Sequence, residues 1–313
     1  MAVNLVRFAS ATGPRWGVVR GNGAVPLAGD YPTTAALIEH GESDWRGAQT
    51  APIPLATLEV LSPVSTPCRI FCQGANYRQH MIESGLDPDA KTFNMFFTKS
   101  DASVAPADGT LWRPGHVSLL DYEIELALVF RRAIQSPVSV TRETLQHYVF
   151  AVCIANDISA RDVQLPQTQF FKGKSYRGFC PLGPWLTALE PGEFTFIDNL
   201  ELQLRVNDAL CQDDTTANLV FKPWGTISEL STFANVAPGD VLLTGTPSGC
   251  ALRVPPPAVR RLIQLLPDRT FWRLFVKSQR RRPEYLNPGD IMTATIRSAD
   301  GRLDLGEQRI TVA

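Results

Sequence analysis

The sequence predicts a β-rich α+β protein in which a small N-terminal unit precedes a larger domain. Short runs of alternating or wholly apolar residues outnumber segments with helical periodicity, and turns rich in Gly and Pro separate them. The predicted strands of the larger domain are 122–130, 149–155, 200–206, 241–244 and 292–296. Helices are expected at 142–149 and 224–234. Many short strands with few helices indicate an α+β architecture.

Residues 1–62 are predicted to form the small α+β unit. Two strand-like runs, 15–19 and 24–27, flank Gly21-Asn22-Gly23, which is typical of a β-hairpin turn. A helical pattern follows near 33–40. The segment 61–67 contains Pro63 and Pro67, which oppose both helix and central strand, so we interpret it as a linker. The main domain is therefore expected at 68–313.

Composition limits the classes of function. The chain has 313 residues, 44% of them hydrophobic, and a formal net charge of −1, so it can bury a large core and has no bulk positive charge for nucleic acid. The N-terminus lacks a basic segment followed by a long apolar core, and no apolar run reaches membrane-spanning length. We expect a cytoplasmic protein that contacts neither membrane nor nucleic acid.

The six cysteines are expected to be reduced and mostly buried. They are scattered through apolar contexts, and only Cys68 and Cys72 lie close together in sequence. No further Cys or His pair is near enough to complete a tetrahedral shell with those two. The sequence therefore predicts no zinc site.

Two acidic residues in one predicted strand indicate a metal site. Glu123 and Glu125 lie two residues apart, so a strand would place both on one face, in an otherwise apolar segment. Two ionised carboxylates at such a short distance repel each other unless a cation lies between them. Asp157, at the end of the apolar run 149–155, is the third predicted ligand. Three carboxylates suit Mg²⁺, Mn²⁺ or Ca²⁺. A solvent-facing strand edge is the alternative.

The chain resembles the fumarylacetoacetate hydrolase family in several motifs that occur in the family's order. These are 121–127, 155–164, 172–176, 180–185 and 238–247, followed by 286–290. The resemblance implies a mixed β-sandwich roll with a metal in a cleft, commonly assembled as a homodimer. It also implies that Glu123, Glu125 and Asp157 bind magnesium. The implied substrate is a small 2-oxo or dioxo acid.

His80 and Glu83 are the candidate proton-transfer pair. Three residues separate them, so on a helix they share a face, and a carboxylate there can orient the imidazole and raise its basicity. An exposed histidine on a surface helix is the alternative. The family's short members carry a matching Asn-Tyr-x-x-His-x-x-Glu on a lid over the substrate, and this resemblance favours the catalytic interpretation.

Three further site residues follow from the resemblance. It implies that Lys174 faces the substrate's oxyanion, with Lys172 left as a surface charge. It implies that Gln164 and Thr246 contact the substrate. By itself, a threonine in a tight turn is more often structural. Arg161 and Asp162 are expected at most to form an ion pair that braces the strand end.

One segment departs from the family. Residues 253–285 intervene where the family has a short loop, and arginines dominate them. Apolar residues recur at helical spacing on either side of Pro267: Leu262, Ile263, Leu266, Phe271, Trp272 and Phe275. We expect two short amphipathic helices with a solvated basic face. Attraction of an anionic substrate and packing at a subunit boundary are the other interpretations.

These residues predict a divalent-metal-dependent hydrolase that cleaves a C–C bond of a 2,4-dioxo acid by way of a stabilised enolate. Water activated by His80 and Glu83 would attack the 4-oxo carbon. The alternative within the same fold is a decarboxylase, isomerase or hydratase that acts on a 2-oxo acid from aromatic catabolism. A non-catalytic metal- or ligand-binding homologue is the alternative from a different class.

Overall fold

A computed structural model describes residues 1–254 and 266–313. Its strands are β1 Val3–Phe8, β2 Arg15–Arg20, β3 Gly23–Pro26, β4 Ile53–Pro54, β5 Val60–Leu61, β6 Ile70–Gly74, β7 Met95–Lys99, β8 Val104–Ala105, β9 Asp108–Leu111, β10 Leu120–Asp121, β11 Ile124–Phe130, β12 Val149–Asn156, β13 Ser159–Ala160, β14 Cys180–Pro181, β15 Trp185–Ala188, β16 Leu200–Val206, β17 Ala209–Thr215, β18 Val241–Leu243, β19 Ile291–Ser298 and β20 Asp304–Val312.

The helices are short and lie between the strands. They are α1 Thr34–His40, α2 Glu42–Gly47, α3 Arg78–Glu83, α4 Arg161–Gln167, α5 Phe170–Lys174, α6 Pro223–Leu230 and α7 Asp268–Gln279. Single 3₁₀ segments cover Leu55–Thr57, Asp101–Ser103, Leu145–His147, Pro191–Asn199 and Thr216–Asn218. None of these helices combines the length and apolarity that a membrane crossing requires. The predicted β-rich α+β class is confirmed.

Two large sheets form the core. One is eleven-stranded, in the order β4-β3-β2-β1-β15-β12-β11-β18-β6-β7 with β5 beside β1, and the other is five-stranded, in the order β17-β16-β19-β20-β9. Leu126 and Ile154 of the first sheet share a hydrophobic cluster with Leu202 and Ile296 of the second. The intervening residues of β11 and β12 pack on the other face against the cluster that contains Leu37 of α1. Burial on both faces explains why these two strands are apolar at almost every position.

The N-terminal elements follow the sequence prediction. β2 and β3 pair as an antiparallel hairpin across the predicted Gly21-Asn22-Gly23 turn. α1 begins after Thr33, whose side chain accepts a hydrogen bond from the Ala36 amide at 3.1 Å and so caps the helix. β1 pairs with β15, which connects residues 1–62 to the main sheet. The division into domains 1–62 and 68–313 stays a prediction.

The prediction of a helix at 142–149 is wrong. Only Leu145–His147 form a 3₁₀ turn, and β12 begins at Val149. The side chains of Thr141 and Thr144 each accept a hydrogen bond from the other's backbone amide, at 3.3 and 2.9 Å, and close a tight turn in place of a helix. The second expected helix is present but shorter, because α6 ends at Leu230.

The insertion 253–285 is described in part. α7 follows Pro267 and buries Phe275 and Gln279. Phe271 and Phe275, four residues apart on this helix, stack with ring centroids 6.1 Å apart, as the helical spacing predicts. The helix expected around Leu262 and Ile263 lies outside the described residues.

Candidate active site

Most of the predicted site residues line one cavity of about 200 Å³. Strands β6 and β7, helices α3, α4 and α5 and the start of β11 surround it. The predicted residues that line it are His80, Glu123, Glu125, Asp157, Gln164, Lys174 and Thr246. Glu83 is on α3 with His80 but does not line the cavity. The tertiary structure thus brings together residues that are far apart in sequence.

Strand pairing places the three acidic residues together. β11 and β12 run antiparallel with Ile124 opposite Asn156, so the residues flanking this pair meet at one end of the ladder. The Asp157 amide donates to the Glu123 carbonyl at 2.8 Å. One carboxylate oxygen from each of Glu123, Glu125 and Asp157 lies within 4.8 Å of the others, and all three side chains are buried.

Two buried lysines contact these carboxylates. Lys174 Nζ contacts Glu123, donates to Asp157 Oδ2 at 2.5 Å and donates to Ser159 Oγ at 2.9 Å. These contacts use all three of its donors. Lys99 Nζ contacts the other Asp157 oxygen and donates to the Phe179 carbonyl at 2.9 Å. Lys99 is a site residue that was not predicted from the sequence, although a lysine at the end of an apolar strand is a signal for one.

Arg161 is a third buried cation at the site. Its Nε donates to Asp121 Oδ2 at 2.8 Å, a second nitrogen contacts Glu123, and Nη1 donates to Gln164 Oε1 at 3.0 Å. The prediction of an ion pair between Arg161 and Asp162 is therefore wrong. Asp162 instead accepts the Ser118 amide at 2.7 Å, because α4 directs the two neighbouring side chains apart.

The charge distribution fits a divalent cation. Within the described residues, Glu125 is the carboxylate of the cluster without a side-chain cation, and it accepts the Gly245 amide at 2.6 Å. Burial, together with Asp157 and Glu123, raises the pKa of Glu125 well above its usual value. Burial also tends to raise the pKa of Glu123, but the positive charges of Arg161 and Lys174 outweigh burial, so the pKa of Glu123 is lowered. A hard cation would satisfy the excess negative charge on Glu125.

A glycine positions the amide that binds Glu125. Gly245 has a φ of +94°, and a Cβ there would lie 2.8 Å from Asn76 Cβ and 3.2 Å from the Gln73 carbonyl. The next residue, Thr246, donates its hydroxyl to the Ile124 carbonyl at 3.0 Å and accepts from Gln212 Nε2 at 2.9 Å. The hydroxyl of Thr246 therefore ties this turn to β11, and its predicted contact with substrate stays a prediction.

His80 lies on α3 beside the carboxylates. One of its ring nitrogens, a Glu123 carboxylate oxygen and Cys250 Sγ all lie within 4.8 Å of one another. Burial lowers the pKa of His80 below its usual value, which favours the neutral imidazole. The Glu83 carboxylate accepts from Arg253 Nη1 at 2.7 Å and from the Gly249 amide at 3.5 Å. Among the described contacts, Glu83 thus binds Gly249 and Arg253, the first residue of the insertion, and not His80.

The fold and the acidic cavity define a class of protein. The family model described as fumarylacetoacetate (FAA) hydrolase C-terminal matches residues 69–313. The chain belongs to this family of enzymes, which act on small molecules, and members commonly use divalent metal ions.

Particular relatives narrow the comparison. The chain is 35% identical over 209 residues to oxaloacetate tautomerase YisK of Bacillus subtilis, covering 66% of this chain and 68% of the relative. It is 31% identical over 271 residues to the mitochondrial oxaloacetate tautomerase FAHD2B of Bos taurus, covering 82% and 84%. Among solved structures, the fumarylacetoacetate hydrolase of Exiguobacterium antarcticum superposes with a TM-score of 0.73 at 25% identity, covering 99% of each chain.

Proposed function

We propose that this enzyme interconverts the enol and keto forms of a small 2-oxo acid. The observation that carries the proposal is His80, a half-buried imidazole within 4.8 Å of the buried Glu123 carboxylate and at the same cavity as Glu125 and Asp157. The names of the relatives, oxaloacetate tautomerases, support the same reaction class. The sequence favours hydrolysis with isomerisation as an alternative, whereas the relatives favour isomerisation.

Glu123, Glu125 and Asp157 would hold the divalent ion, for which Mg²⁺ or Mn²⁺ is the best candidate and Ca²⁺ another. When bound, the ion would act as a Lewis acid and stabilise negative charge on the 2-oxo oxygen of the substrate. Lys174 and Lys99 hold two of these carboxylates in place through the contacts given above. Arg161 does the same for Glu123 and also orients Gln164.

His80 would transfer the proton. In the keto-to-enol direction, the neutral imidazole takes a proton from C3, and the C–H electron pair forms the C2–C3 double bond. The 2-oxo oxygen gains the negative charge and then receives the proton from the imidazolium. The reverse sequence gives the keto acid, so atoms and charge balance without a second substrate. The lowered pKa of His80 favours the neutral form that starts this cycle at neutral pH.

Hydrolysis of a 2,4-dioxo acid is the second candidate. Glu83 lies three residues after His80 on α3, so it would approach the imidazole if it left Arg253. Hydrolysis needs such a pair to activate water, whereas tautomerisation needs one proton-transfer group and a stabilised enolate.

The test is a direct comparison of the two reactions. Enol-to-keto conversion of oxaloacetate is followed by ultraviolet absorbance, and acylpyruvate cleavage is followed by release of pyruvate. The proposal expects Mg²⁺-dependent acceleration of the first reaction that excess chelator removes. Cleavage without tautomerisation would favour the hydrolase. Metal binding without either reaction across a series of 2-oxo acids would favour the non-catalytic homologue.

A further inference from the structure

We propose that His80, Glu123 and Cys250 form a second metal site, selective for a thiophilic ion such as Zn²⁺, beside the three-carboxylate site. One ligand atom from each residue lies within 4.8 Å of the other two. Cys250 Sγ is 4.0 Å from Glu123 Oε1. Zinc holds nitrogen, oxygen and sulfur ligands at about 2.0–2.3 Å, so side-chain movements of about 1 Å would close the group around an ion.

The two groups of ligands differ in chemistry. Glu123, Glu125 and Asp157 offer only oxygen, which suits Mg²⁺, Mn²⁺ or Ca²⁺. A thiol, an imidazole and a carboxylate instead suit zinc, and three protein ligands leave a fourth position for water or substrate. In the sequence, only Cys68 and Cys72 lie close enough to suggest a shared zinc ion, because Cys250 and His80 are 170 positions apart and share no spacing motif.

Several contacts hold the thiol next to the carboxylates. The Asp121 carboxylate accepts the amides of Ala251 and Leu252, at 2.7 and 3.1 Å, and the same carboxylate binds Arg161. Gly249, with a φ of +99°, packs so tightly that a Cβ would lie 2.0 Å from the Cys211 carbonyl. The backbone on both sides of Cys250 is therefore fixed, and its side chain is buried at the site.

A consequence of the site depends on the proposed function. Zinc bound there would occupy the His80 lone pair that proton transfer requires and would share Glu123 with the hard-ion site. We therefore expect zinc to inhibit an enzyme that is already loaded with Mg²⁺. The existence of the site does not depend on that reaction, so the two ideas can fail separately.

Cobalt(II) spectroscopy tests the site without turnover. Co²⁺ is added to the full-length protein, and a thiolate-to-cobalt charge-transfer band in the near ultraviolet reports a bound cysteine. We expect the band in the parent and in Cys68→Ser, a matched control outside the ligand group, and its loss in Cys250→Ser. Absence of the band in the parent, or its retention in Cys250→Ser, overturns the proposal. Circular dichroism verifies that each variant is folded.

X-ray absorption of the zinc-loaded parent keeps the test decisive if Cys250→Ser fails to fold. One sulfur neighbour of zinc is expected, and a shell of oxygen and nitrogen alone overturns the site.

Inhibition by zinc is a separate measurement, in which each variant is compared with its own rate without zinc. Cys250→Ser should need at least about tenfold more zinc for half-inhibition, because loss of a partner outside the ligand shell already costs about that much affinity and Cys250 is a direct ligand. Equal zinc sensitivity with no cobalt band would assign zinc to the three-carboxylate site instead.

Discussion

The Glu83 carboxylate lies 2.7 Å from Arg253 Nη1, and this ion pair joins the helix that carries His80 to the first residue of the insertion. The Gly249 amide contacts the same carboxylate oxygen at 3.5 Å. The Arg253 and Glu83 side chains keep 42% and 30% of their exposure, so solvent weakens the pair. The contact between α3 and Arg253 is therefore expected to be weaker than a buried ion pair.

Arg253→Ala should loosen α3 with little effect on overall stability. An exposed pair contributes at most about 1 kcal/mol, so the midpoint of urea unfolding should hardly change. Hydrogen exchange in residues 78–83 should become faster, and KM should rise more than kcat falls. Arg302→Ala, which removes the exposed pair with Asp300, is the matched control. Unchanged exchange in α3 would show that Arg253 does not hold the helix.

Glu125→Gln and Asp157→Ala should separate metal binding from stability. Both should abolish Mg²⁺ binding in calorimetry. Asp157→Ala also leaves Lys99 and Lys174 with fewer partners, so we expect a loss of about 3–5 kcal/mol, as for a broken buried ion pair. Glu125→Gln removes a carboxylate without a side-chain cation among the described residues and should cost little. Equal unfolding free energies for the two variants in chelator would contradict this charge assignment.

The metal-free protein should lose stability as pH rises above the usual range of a glutamate pKa. The folded-state pKa of Glu125 is raised, so its contribution is present below the unfolded pKa and is lost as pH rises through the folded value. Urea unfolding in excess chelator measures this slope. Glu125→Gln should flatten it, and Mg²⁺ should reverse it by stabilising the ionised carboxylate. If the pH dependence of unfolding persists in Glu125→Gln, an ionisable group other than Glu125 causes it.

His80→Asn should lower tautomerisation about 100-fold or more, a range typical of losing general acid–base help. Mg²⁺ affinity should remain, because the three carboxylates are intact. His40→Asn, at an exposed helix end, is the control. Parent-level activity in the His80 variant would remove its role in proton transfer. If acylpyruvate cleavage also occurs, the same variant should suppress it to a similar extent.

Neutralising Arg280, Arg281 and Arg282 should distinguish the interpretations of the insertion. If these charges attract an anionic substrate, KM should rise and its salt dependence should flatten, since exposed charges are screened within a Debye length. In the structure Arg282 pairs with Glu284 at 2.5 Å, which already offsets part of the charge. Unchanged kinetics with a shift in mass by light scattering would indicate packing between subunits, including the homodimer expected from the family.

Much of the fold and the acidic group could be predicted from the sequence because the signals are local. The apolar runs that became β11 and β12 are buried on both faces, and Asp157 directly follows the second of them. The hairpin depends on a turn of adjacent residues, Gly21-Asn22-Gly23. The helix expected at 142–149 failed because two threonine side chains satisfied the backbone in a tight turn.

The sequence by itself determined five strands of the larger domain, the class of protein and the residue types that a hard metal requires. Only the tertiary structure decided which distant side chains meet: Arg161 with Asp121, Lys99 with Asp157, Glu83 with Arg253, and Cys250 beside His80 and Glu123. All of these partners are 40 to 170 residues apart in the chain. Periodicity reports the local backbone and the buried face, but an ion pair between distant residues depends on how sheets and loops pack, which no spacing in the sequence records.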